Sequence, residues 1–97
     1  MTSNRPRVLV EKRKLTICNE RGLHARAAAK FASIVSAHDA TVTVCKGEHI
    51  VSGESIMGLM MLAASLGSNI EVHIEGPAAK TVAGELEQLV EEKFGES

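Results

Sequence analysis

The segment Asn69-Ile70-Glu71-Val72-His73-Ile74-Glu75 alternates strictly between polar and apolar side chains. That period of two fits an extended strand with one buried face. Ile70, Val72 and Ile74 are expected inward and Glu71, His73 and Glu75 outward, which makes His73 most simply a solvated strand residue. Two more stretches carry the same pattern. Lys14 to Cys18 puts Leu15 and Ile17 on one side, and Ala40 to Cys45 does so with Val42 and Val44. Lys46-Gly47 then turns the chain into a short strand at Glu48 to Val51, so that these last two strands form a hairpin. Strands with a single greasy face need a cover on that side only.

Helical stretches supply the cover. From Ala25 onward the chain is strongly helix-forming, and Ala28, Phe31, Ala32 and Val35 recur at helical spacing with Lys30 and Ser33 left outside. Near the carboxyl end Gly76-Pro77 opens a helix whose core stripe is Ala79, Val82, Ala83, Leu86 and Val90, with Glu85, Glu87, Glu91 and Glu92 facing water. Between them Ser55 is the natural N-cap of a helix expected to run to about Ser65 and to stop at Gly67. Leu59, Leu62, Ala63 and Leu66 form its inward stripe, yet Ile56, Met57, Met60 and Met61 are apolar too. A short helix that is apolar nearly all round is either buried on every side or exposes a binding patch. The element order is β-α-β-β-α-β-α. It predicts an α/β (α+β) fold: an open two-layer sandwich, a four-stranded antiparallel sheet with three helices on one face.

Ninety-seven residues suffice for one modest core, hence one domain. Residues 1–11, basic and containing Asn4 and Pro6, are expected to form a flexible extension ahead of a domain spanning 12–97. A formal net charge of −1, with Phe31 and Phe94 as the sole aromatics, argues against nucleic-acid binding, which needs a basic surface and rings for stacking. Cys18 and Cys45 are too far apart for a metal-ligand pair and read as small buried or half-buried hydrophobes. No amino-terminal apolar run is long enough for export or membrane insertion, so a cytoplasmic location is expected. No cofactor or metal is expected.

The chemistry concentrates in Arg21-Gly22-Leu23-His24-Ala25-Arg26-Ala27. Gly22 permits a turn that other residues resist, and the helix begins at once, so His24 falls on a helix N-terminus. First-turn amides there lack partners and the helix dipole is positive, which suits an anion such as phosphate. Arg26 adds a planar cation able to grip two phosphate oxygens. Imidazole is nucleophilic while substantially neutral near pH 7, so it can accept a phosphoryl group and release it. His24 therefore reads as a transient phosphate carrier, against the plainer alternative of an exposed turn residue.

Two motifs give the chain a family likeness. Gly22-Leu23-His24-Ala25-Arg26 resembles the phosphohistidine loop of the histidine-containing phosphocarrier proteins (HPr) of the bacterial phosphoenolpyruvate-dependent sugar phosphotransferase system, and Ser55-Ile56-Met57-Gly58 resembles that family's regulatory serine. The likeness covers roughly Lys12 to Phe94, with the elements in the right order. It implies that His24 accepts a phosphoryl group at Nδ1 from phosphorylated enzyme I and passes it to an enzyme IIA component, with Arg26 stabilising the charge in transfer. It implies further that HPr kinase/phosphorylase can modify Ser55, placing about −1.5 to −2 charge beside a docking patch of Ile56, Met57 and Met60. The chain would then be a carrier rather than an enzyme, and most simply a monomer. Two positions depart from the family pattern. Ala27 stands where proline is usual, which loosens the first turn, and Glu54 stands where a basic residue is common. The alternative function is a regulatory module in a nitrogen-related or carbon-control phosphorelay. A hydrolase such as an acyl phosphatase would need a water-activating group and a pocket, and neither is legible.

Overall fold

The computed structural model describes residues 9–96. Four strands, β1 (Val10–Thr16), β2 (Thr41–Lys46), β3 (His49–Ser52) and β4 (Asn69–Glu75), form one antiparallel sheet in the order β1-β4-β2-β3. Three α-helices, α1 (Ala25–Ser36), α2 (Ile56–Met61) and α3 (Ala79–Glu91), pack on one face, and a short 3-10 turn (Lys93–Gly95) follows. β4 and β2 are central because β4 pairs with both β1 and β2, with Val72 opposite Arg13 on one side and Val44 on the other.

The alternation holds throughout. Leu15, Ile17, Val42, Val44, Ile70, Val72 and Ile74 are all buried, and they meet Ala28, Phe31, Ala32 and Val35 of α1 and Ala79, Val82, Ala83, Leu86 and Val90 of α3. At about 25 cal/mol per Å² of apolar surface withdrawn from water, this one-sided interior is the main stabilising term. Phe94, on the 3-10 turn, joins it with 1% of its surface exposed.

Four expectations change. β1 starts at Val10, not Lys14: Val10 and Glu11 pair with Glu75 and Ile74, so they belong to the sheet rather than to an extension over 1–11. Leu9 accepts the Gly76 amide at 2.9 Å, and residues 1–8 of that extension lie outside the described residues. α2 is six residues long and stops well before Ser65. Ala63 leaves the helix at φ 51°, Ala64 takes the buried place, and Ala63 and Leu66 are exposed. The cause is tertiary, because the Ala64 carbonyl is withdrawn to accept the Leu23 amide at 2.9 Å. Gly67 stops no helix but donates its amide to Ile17, tying this loop to the end of β1. Finally, Glu85 and Glu87 do not simply face water: Glu85 bonds His38 at 3.1 Å and Glu87 bonds Arg13 at 3.2 Å.

Candidate functional site

His24 is the N-cap of α1, with φ −78° and ψ 179°, and its side chain makes no capping hydrogen bond. The first α-helical bond is that of Ala28 to the His24 carbonyl, at 2.8 Å. The amides of Ala25, Arg26 and Ala27 therefore have no acceptor within the helix. A serine or aspartate at this place would fill one of those donors itself. Histidine instead keeps its ring for something else.

The turn before it is fixed by close packing. Gly22 has φ +64°, and a Cβ there would fall 2.3 Å from the Ala64 carbonyl oxygen. Only glycine lets the loop approach α2's exit closely enough for the Leu23 amide to reach Ala64. Asn19, 1% exposed, donates through Nδ2 to the Gly22 carbonyl at 2.9 Å. His24 thus emerges from a loop clamped on both sides.

The imidazole is partly exposed, at 24% of its side-chain surface, and its Nε2 bonds the carboxylate of Glu96. Among the described residues no partner is found for Nδ1. The other Glu96 oxygen accepts from Asn19 Nδ2 at 3.1 Å. The Glu96 carboxyl is held below the usual carboxylate range, first by the hydrogen bond from His24 and then by that from Asn19. Burial opposes the shift, and the charges of His24 and Arg21 add to it.

Arg26 is exposed on the first turn of α1 and makes no salt bridge among the described residues. With Arg21, Lys30 and Lys93 it lines a cleft that also contains Glu20 and Glu96. His24 opens on a second hollow, between Arg21 and the α2 exit at Ala63 to Ser65. Arg21 borders both hollows, and Glu96 links them as well, since it bonds His24 and lines the cationic cleft. Lys30, expected merely to face water, donates to the Phe94 carbonyl at 2.6 Å. Ser55 stands apart from both hollows, at the start of α2, where its hydroxyl accepts the Gly58 amide at 2.9 Å. Met57 and Met61 are 69% and 75% exposed, and Ile56 and Met60 about 40%, so α2 presents an apolar face. Among the described residues no three His, Cys, Asp or Glu side chains cluster as metal ligands would, and no helix is long and apolar enough to cross a membrane. Glu96 and Asn19 went unrecognised in the sequence. A glutamate so near the end of the chain reads like Glu91 or Glu92, and nothing local marks Asn19 as buried.

The His24 segment thus combines a clamped loop, an uncapped helix start and a histidine whose Nδ1 has no partner among the described residues. A model of the family described as the PTS HPr component phosphorylation site matches residues 11–92. The chain belongs to the HPr family. It is 41% identical over 85 residues to the phosphocarrier protein NPr of Shewanella violacea, covering 88% of this chain and 93% of that one. To the phosphocarrier protein HPr of Pseudomonas aeruginosa it is 42% identical over 84 residues, covering 86% and 93%. The crystal structure of HPr-C-His from Thermoanaerobacter tengcongensis superposes with a TM-score of 0.85 at 36% identity, covering 90% and 98%. The HPr fold is thus the fold of this chain, and its family is one of phosphocarriers rather than of enzymes with their own turnover.

Proposed function

We propose that His24 accepts a phosphoryl group at Nδ1 from phosphorylated enzyme I and hands it to enzyme IIA components of the sugar phosphotransferase system. The observation that carries this reading is the ring's setting: Nδ1 has no partner among the described residues, while the amides of Ala25, Arg26 and Ala27 lack helical acceptors. Incoming phosphoryl oxygens would meet those amides and the positive end of the α1 dipole. The Arg26 guanidinium, which makes no salt bridge among the described residues, can swing onto the same oxygens and offset charge as it develops. Docking would use the exposed Ile56, Met57 and Met60 face of α2, since flexible methionines adapt to more than one partner. Phosphorylation of Ser55 by an HPr kinase/phosphorylase would set a dianion against that face and weaken it. On this reading the protein works as a cytoplasmic monomer without a cofactor.

A second reading is a regulatory module in a nitrogen-related or carbon-control phosphorelay, and the likeness to the phosphocarrier protein NPr of Shewanella violacea is the observation that keeps it in play. One assay separates them. Labelled phosphoenolpyruvate, enzyme I and this protein are incubated with a sugar-specific IIA and, in parallel, with a nitrogen-related IIA. Label reaching the sugar-specific IIA supports the first reading, and label reaching only the other supports the second. His24→Ala should remove labelling and leave the fold intact, because a part-exposed N-cap ring contributes little to the core. Full labelling of that variant would refute the site.

A further inference from the structure

The geometry points to Glu96 as a positioning residue that fixes the tautomer of His24 and balances the charge of its phosphorylated ring. The inference builds on the proposed role of His24 as phosphoryl acceptor. The family match ends at residue 92, so nothing in that match assigns a role to Glu96.

An ionised carboxylate has no proton to donate, so its bond to Nε2 requires that Nε2 carry the hydrogen. The neutral ring is then the Nε2–H tautomer, and the lone pair lies on Nδ1. That is the nitrogen for which no partner is found among the described residues. In the transfer step the Nδ1 lone pair forms the new bond to phosphorus. The bond from phosphorus to the phosphorylated donor protein breaks, and its electron pair stays on the donor's leaving atom. No proton need depart from His24: Nε2–H remains on Glu96, and the ring's new positive charge sits against the carboxylate. On transfer to the acceptor the same electrons move in reverse.

The chain's last described turn is built to deliver this group. Lys93, Phe94 and Gly95 all take left-handed φ values, 58°, 57° and 78°. Two of the three are not glycine, and such residues hold that conformation only when their surroundings compel it. Burial of the Phe94 ring, the Lys30 ammonium on the Phe94 carbonyl and the Glu96 amide on the Lys93 carbonyl at 3.0 Å supply the compulsion. Asn19 then holds the second carboxylate oxygen, so the group is oriented from both sides. Among the described residues, the other charged groups lining the same cleft are Arg21, Arg26, Lys30, Lys93 and the Glu20 carboxylate. The hydrogen bonds from His24 and Asn19 keep Glu96 ionised, and the charge of Arg21 adds to them. The cationic rim keeps the carboxylate from repelling the incoming phosphoryl group outright.

The test uses the full chain with 15N-labelled histidine and three forms: unmodified, Glu96→Ala and Glu96→Gln. Ring 15N shifts, read where the imidazole is neutral, report the tautomer without any phosphotransfer. The unmodified protein should show Nε2–H only, with a downfield proton slow to exchange. Glu96→Ala should show a mixture and take phosphate from enzyme I about tenfold more slowly, the effect expected when one charge-assisted hydrogen bond at the reacting group is lost. Glu96→Gln keeps an acceptor oxygen but not the charge. It should retain the tautomer and lie between the other two in rate. A purely structural role would not separate tautomer from rate in this way. Unchanged shifts and an unchanged rate in Glu96→Ala would overturn the inference. If the unmodified protein shows the Nε2–H tautomer but takes no phosphate on His24, the proposed function fails while the positional lock stands.

Discussion

Replacing Gly22 with alanine tests the contact on which the His24 loop depends. Two effects add. An L-residue held at φ +64° costs about 1 kcal/mol. The new Cβ would also lie 2.3 Å from the Ala64 carbonyl oxygen and 2.9 Å from the Ser65 Cα, both backbone atoms that cannot rotate aside. The loop must therefore lift off, and the Leu23 to Ala64 hydrogen bond goes with it, a further loss of about 1 kcal/mol. The sum is about 2 kcal/mol, or a fall of roughly 8–16 °C in Tm for a domain of this size. Gly47→Ala is the internal control. Gly47 has φ +60° but nothing within 4 Å of its virtual Cβ, so only the conformational part applies, about 1 kcal/mol. Urea unfolding of both variants, followed by far-ultraviolet circular dichroism, gives the comparison. Equal destabilisation would mean that the close approach to Ala64 contributes nothing, and the account of how His24 is positioned would fail.

Further outcomes follow from the same structure. Phe94→Ala empties a fully buried site and should cost about 3–5 kcal/mol in chemical denaturation, while detaching Glu96 and so broadening the His24 ring signals. The Glu96 carboxyl, followed by 13C shift, should titrate below its ordinary 4.5, and His24→Ala, which removes the largest cause, should bring it back up. With a depressed folded value the sign is set: the Glu96 contribution to stability is complete above the ordinary carboxylate range and is lost as pH falls through the folded value. A midpoint at or above 4.5 in the unmodified protein would contradict the contact. Ser55→Asp should slow transfer from enzyme I by placing charge beside Ile56 and Met57, and an unchanged rate would remove the apolar face of α2 from the docking surface.

Much of the molecule was legible because its interior is one-sided. Alternation at Leu15 and Ile17, at Val42 and Val44, and at Ile70, Val72 and Ile74 marks residues that are in fact buried, and the stripes of α1 and α3 match them. His24 could be placed at a helix start because glycine and an alanine-rich run bracket it. α2 misled for a definite reason. Leu62 to Ser65 favours helix locally, yet one hydrogen bond to Leu23 and the packing of Gly22 end the helix at Met61.

What the sequence by itself determined is periodic or local: the strand faces, the helix stripes, the elements' order and the histidine at a helix N-terminus. Such features depend on neighbours a few residues away, and burial of apolar surface enforces them wherever they occur. Tertiary structure alone decided what faces the ring. Glu96 lies 72 residues from His24 and Asn19 lies 77 from Glu96, and they meet only because a buried phenylalanine and a lysine bend the chain's last turn back over the site. No local propensity encodes a contact at that separation, because its geometry exists only after the core has closed.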